Sequence, residues 1–66
     1  GNSMCTLTID SKSLLKELEN NKNLISTHKD HDKYKYTLIS NNKEELQKIL
    51  DEIRDVDSDI QYNLNI

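Results

Sequence analysis

The sequence contains no proline, phenylalanine, tryptophan or alanine, one cysteine and one glycine. A lone cysteine cannot close an internal disulfide, which excludes a disulfide-stapled secreted miniprotein. The glycine is Gly1, so no glycine-rich phosphate loop exists. No apolar run approaches the roughly 20 residues that cross a bilayer, and no signal-peptide pattern is present. Positive charge is not in excess. Nine Lys plus Arg stand against twelve Asp plus Glu, a net charge of −3. No nucleic-acid partner is expected of such a chain, because that partner selects a basic surface. No Ser-His-Asp or Cys-His arrangement is suggested. These absences lead to the expectation of a cytoplasmic, non-enzymatic protein, with no catalytic, cofactor-binding or metal-binding residue and no cofactor.

What is present is a thin core on a regular pattern. Apolar residues make up 33% of the 66, below the usual share for a globular domain. They are mainly Leu and Ile, with Tyr34, Tyr36 and Tyr62 as the aromatics. A chain this short buries only about 60% of its unfolded surface, so modest stability is expected. Length allows one domain. Gly1, Asn2 and Ser3 read as an expression scar, and residues 4–66 as a single domain excised from a longer protein, because the chain ends inside an alternating strand pattern. The abundance of Asn, Lys and Ile suggests an AT-rich genome.

Periodicity predicts the elements. Residues 5–9 alternate, with Cys5, Leu7 and Ile9 on one side, as a half-buried strand does. Asp10, Ser11 and Ser13 offer N-cap oxygens to a helix over about Leu14–Glu19, whose Leu14, Leu15 and Leu18 share a stripe. The Asn-rich stretch 20–23 ends it. A second strand, Leu24–Lys29, a turn at Asp30-His31-Asp32 and a third strand, Lys33–Ser40, form a hairpin. The segment from Asn41 to Glu45 has the form of a capping box with Asn in place of Ser or Thr. Behind it, Leu46, Ile49, Leu50, Ile53 and Val56 recur at helical spacing over about 14 residues. Ile60, Tyr62, Leu64 and Ile66 alternate in a fourth strand. The order strand-helix-strand-strand-helix-strand is the ferredoxin-like, split βαβ pattern: α+β, four antiparallel strands, with both helices on one face. Thr6, Thr8, Lys35, Thr37, Ile39 and Asn63 then point away from the helices. That face is either solvated sheet or a dock for another domain or a second copy.

Each chemical candidate meets a plainer reading. Tyr34 and Tyr36, interleaved with Lys33 and Lys35, resemble the stacking strand of an RNA-recognition motif. The motif's glycine and first-strand aromatic are missing, so both tyrosines are read as core or partly exposed. His28 and His31 with Asp30 and Asp32 offer metal-type ligands within five residues, but no second cluster completes a tetrahedral set; a solvated turn is expected. Met4-Cys5 is similar to part of a heavy-metal-associated loop, yet that loop needs two cysteines, so Cys5 is read as a small buried hydrophobe. Asp51, Glu52, Asp55, Asp57 and Asp59 crowd the end of the second helix as an exposed acidic rim, open to a basic partner.

Taken together, the strand Thr6-Leu7-Thr8-Ile9, the segment Leu14-Leu15-Lys16-Glu17-Leu18 and the strand Tyr34-Lys35-Tyr36-Thr37-Leu38 resemble one known family. The helix Glu45-Leu46-Gln47-Lys48-Ile49-Leu50 and the closing Asp59-Ile60-Gln61-Tyr62 extend the likeness. The family is the C-terminal accessory domain of bacterial ABC-transporter ATP-binding subunits. The resemblance implies a regulatory role in transport, with ATP hydrolysis in the parent chain. It implies contact with the parent ATPase core, a regulator or a second copy as a homodimer, and a cytoplasmic place peripheral to the membrane. An ACT-like small-molecule-sensing or dimerisation domain shares the pattern and remains open beside it. That kind of domain usually has glycine near the end of its first strand, where this chain has Asp10-Ser11-Lys12-Ser13.

Overall fold

Strict alternation carries the first strand, β1 (Cys5–Ser11), two residues beyond its predicted end, with every second side chain buried. Asp10 and Ser11, expected to cap a helix, therefore lie in the sheet. The computed structural model describes residues 3–66, and the scar reading of Gly1 and Asn2 lies outside the described residues. The remaining elements are β2 (Leu24–Asp30), β3 (Lys33–Ser40), α1 (Lys43–Val56) and β4 (Gln61–Asn65). Among the described residues the class is α+β, one four-stranded antiparallel sheet with one α-helix. The spatial order is β2-β3-β1-β4. Each crossover skips one strand: β1 to β2 passes β3, and β3 to β4 passes β1.

The expected helix over Leu14–Glu19 does not form. A single 3-10 turn, Lys16–Leu18, stands in its place. The amides of Leu18, Glu19, Asn21 and Leu24 each bond three residues back rather than four, the tighter winding of a 3-10 turn. The cause is competition for backbone groups. Ser11 Oγ accepts the Ser13 N–H at 3.0 Å and Asn21 Oδ1 accepts the Asn23 N–H at 2.8 Å, so side-chain turns occupy both ends. Between them, the Leu15 N–H donates to the buried Tyr36 hydroxyl at 2.8 Å. Too few residues remain to repay helix nucleation, which makes helices under about 12 residues marginal without tertiary support. Spacing of three suits Leu15 and Leu18, which are both buried, and turns Leu14 outward.

The second predicted helix forms as α1. Asn42 caps it, its Oδ1 accepting the Glu44 N–H at 3.0 Å. Leu46, Leu50 and Ile53 are buried against Leu7, Ile9, Tyr36 and Leu38, with Leu15 and Leu18 completing the core. Val56, Tyr62 and Ile66 reach less far than expected, Ile66 lying past the end of β4 and 72% exposed. Val56, the last residue of α1, is 70% exposed. Tyr62 lies on the helix side opposite Ile9, but at the sheet edge it is 46% exposed.

Cover over the sheet is uneven as a result. In β3 the inward residues Tyr36, Leu38 and Ser40 are buried. In β2 only Leu24 is even half-buried, and every residue after it is exposed. A bulge between Leu24 and Ser26 sets Ile25 outside the ladder, 59% exposed. The hairpin closes through His31 and Asp32, with His31 in the left-handed region at φ 57°.

Candidate functional site

The sequence candidates fall into place as parts of the fold or as surface. Tyr36 is buried, its hydroxyl held by Leu15. Tyr34 is half-buried, with the Lys29 ammonium 5.6 Å from its ring centroid. Cys5 is buried. His28 and His31 are both exposed, and His31 Nε2 lies 3.7 Å from the exposed Asp30 carboxylate. Among the described residues no three of His, Cys, Asp and Glu gather as a metal-holding group. Of the acidic rim, Asp51, Glu52, Asp55 and Asp59 are exposed. Asp57 is half-buried and structural. It accepts from Ser11 Oγ at 3.4 Å and from the Asp59 N–H at 3.1 Å, tying the end of α1 to the end of β1.

A second polar network sits at the start of α1. Glu45 Oε1 accepts from Asn23 Nδ2 at 2.8 Å and from Ser40 Oγ at 2.9 Å, while Lys22 Nζ lies 3.2 Å from Oε2. Ser40 Oγ in turn accepts the Asn42 N–H at 3.0 Å. The expected capping box is thus relayed through Ser40, because Glu45 is drawn to Asn23 instead of reaching the cap directly. Asn23 also donates to the Ile39 carbonyl at 3.1 Å. The Asn23 amide chiefly, then the Ser40 hydroxyl and Lys22, hold the Glu45 carboxyl below its ordinary value near 4.5, against a weaker opposing push from burial. Nothing in the sequence joins Asn23 to Glu45, since the loop must fold back before the two meet.

Those groups are engaged inside the fold; the helix-free face of the sheet is one of the surfaces that remain open to solvent. Register lays it out in rows. Asn65, Thr6 and Ile39 form one, Asn63, Thr8, Thr37 and Ser26 the next, and Gln61, Asp10, Lys35 and His28 the third. Thr6, Thr8, Asp10, Thr37 and Ile39 are half-buried by their neighbours. The Thr8 hydroxyl donates to the Asn63 carbonyl at 3.4 Å. Short side chains make the centre shallow, and opposite charges stand side by side at one end.

Beyond that end lies an open cleft of about 290 Å³, lined by Asp10, Ser11, Lys12, Lys33, Asp59, Ile60 and Gln61. It brings together two cations and two anions, all on side chains that reach solvent. No helix among the described residues is long and apolar enough to cross a membrane. No family model, curated protein or solved structure matches the chain.

Proposed function

We propose that the chain is a non-catalytic accessory domain that works by contact through the helix-free face of its sheet, within an ABC-transporter ATP-binding subunit. The observation that carries the contact reading is where the polar groups are spent. Glu45, Asp57, Ser11, Ser40, Asn23 and the Tyr36 hydroxyl all bind elements of the fold to one another. The helix-free sheet face, with short Thr side chains at its centre, presents a shallow surface that suits docking. The transporter setting rests on the resemblance of the strands and helix described above. The strand order β2-β3-β1-β4 supports it, as a ferredoxin-like plan whose first helix has shrunk to a turn.

On this reading the role is regulatory. Partners are the parent ATPase core or another copy of the domain, on the cytoplasmic side of a bacterial membrane. Nuclear magnetic resonance titration of the chain with an ABC-type ATP-binding core tests it. Amide shifts grouped at Thr6, Thr8, Thr37 and Ile39 are expected, and shifts confined to α1 would overturn the face assignment. Nucleotide-binding motifs are expected upstream in the same reading frame. Their absence would end the transporter setting while leaving the contact reading in place.

A second reading, small-molecule sensing of the ACT-like kind, is favoured by one observation, the mixed-charge cleft at Asp10, Lys12, Lys33 and Asp59. Calorimetry against amino acids and divalent metal ions separates the two. Specific, saturable heat would favour sensing.

A further inference from the structure

We infer that the partner of the helix-free face is a second copy of this chain, stacked face to face about a two-fold axis that runs along the strands between β1 and β3. The inference rests on the contact reading above and follows from the register. Asp10 of β1 stands directly opposite Lys35 of β3, and Thr8 opposite Thr37. A two-fold axis parallel to the strands and midway between them sets each β1 over the other copy's β3. Row for row, Asp10 of one copy then meets Lys35 of the other, and Lys35 meets Asp10. Thr8 meets Thr37, and Thr6 meets Ile39.

The other two-fold in the plane, across the strands, reverses the rows. Centred on Thr8, it would set Asp10 over Thr6 and bury Lys35 against Ile39, leaving neither charge a partner in the other copy. Opposed charges fix register and orientation in this way even where they add little affinity. Threonines at the centre allow two sheets to approach to the roughly 10 Å of face-to-face packing.

The contact is small. At ordinary strand spacing and rise the paired face covers roughly 300–400 Å² a copy. A standard interface takes about 800 Å² from each partner. The dimer is therefore weak and reversible, populated as protein concentration rises.

Sedimentation equilibrium of the chain from about 10 μM to about 1 mM tests this, a span in which weak interfaces come into view. A monomer–dimer equilibrium is expected. Asp10→Lys and Lys35→Asp should each weaken it by about tenfold or more, because both cross-copy contacts become repulsive at once. Mixing the two variants should restore a dimer, since each heterodimer contact is again a Lys–Asp pair. If either reversal unfolds the chain, Asp10→Asn and Lys35→Gln keep the shape, and each should weaken association severalfold. A monomer throughout would overturn the inference and leave the contact reading with a different partner. A dimer indifferent to these substitutions would place the interface elsewhere, such as the β2 edge, and overturn it equally. Saturable binding of an amino acid or metal ion by the monomer would instead count against the contact reading itself.

Discussion

β3 and β2 are neighbours of similar length in one hairpin, yet they live in different environments. β3 lies beneath α1 and the Lys16–Leu18 turn, with three of its eight residues buried. β2 has no buried residue. The difference comes from the two crossovers. The β3-to-β4 connection is a 14-residue helix with a full apolar stripe, while the β1-to-β2 connection is a turn that covers only as far as Leu24. A helix over the sheet is thus a matter of chain supply. The connection runs only from Lys12 to Asn23, and side-chain turns occupy both of its ends.

The sharpest way to break the comparison is to delete packing in each half. Leu50→Ala should cost about 2–5 kcal/mol, close to the whole margin of so small a domain. Thr27→Ala, which is inward-facing but exposed in β2, should stay within about 0.5 kcal/mol. Urea unfolding of both variants checks this, and equal losses would show that β2 is covered after all.

Tyr36→Phe sharpens the boundary between the halves. It removes the acceptor of the Leu15 N–H and leaves a buried donor unpaired, for about 1–3 kcal/mol. If the connection were held by its leucines alone, the loss would be near zero. At the far end of β2, His31→Gly should stabilise by about 1 kcal/mol, because glycine takes the left-handed conformation without the steric cost of a β-carbon. A loss on that substitution would mean that the His31–Asp30 contact outweighs the backbone.

The smallest effect concerns pH. Glu45 is held below its ordinary value in the folded chain, so the stability it contributes is present above about pH 4.5 and is lost as pH falls through the lower, folded value. Thermal melts of Glu45→Gln should lie below those of the unsubstituted chain at pH 7 and converge with them under acid conditions. A constant gap across pH would assign the loss to shape and not to charge.

Much of this was legible in the sequence because it depended on period alone. The alternation at Cys5–Ile9 and Lys33–Ser40, and the helical spacing of Leu46, Leu50 and Ile53, specify elements and inward faces without knowledge of neighbours. The same spacing at Leu14, Leu15 and Leu18 misled. Three leucines predict a stripe, but Tyr36, 21 residues away, takes the Leu15 amide first. The Glu45 network was hidden for the same reason, since its donors come from two separate segments, the Lys22-Asn23 loop and the end of β3 at Ser40. The open face was readable as to which residues point outward. Its row-by-row pairing of Asp10 with Lys35 needed the register.

Uneven cover is tested most directly by native-state hydrogen exchange resolved by residue. Hydrogen-bonded amides of β1, the covered end of β3 and α1 are expected to share the slowest rates. Those of β2 beyond Leu24 should exchange at least about tenfold faster, through openings that leave the rest intact. Equal protection along β2 and β1, or helix-like protection from Leu14 to Glu19, would contradict it.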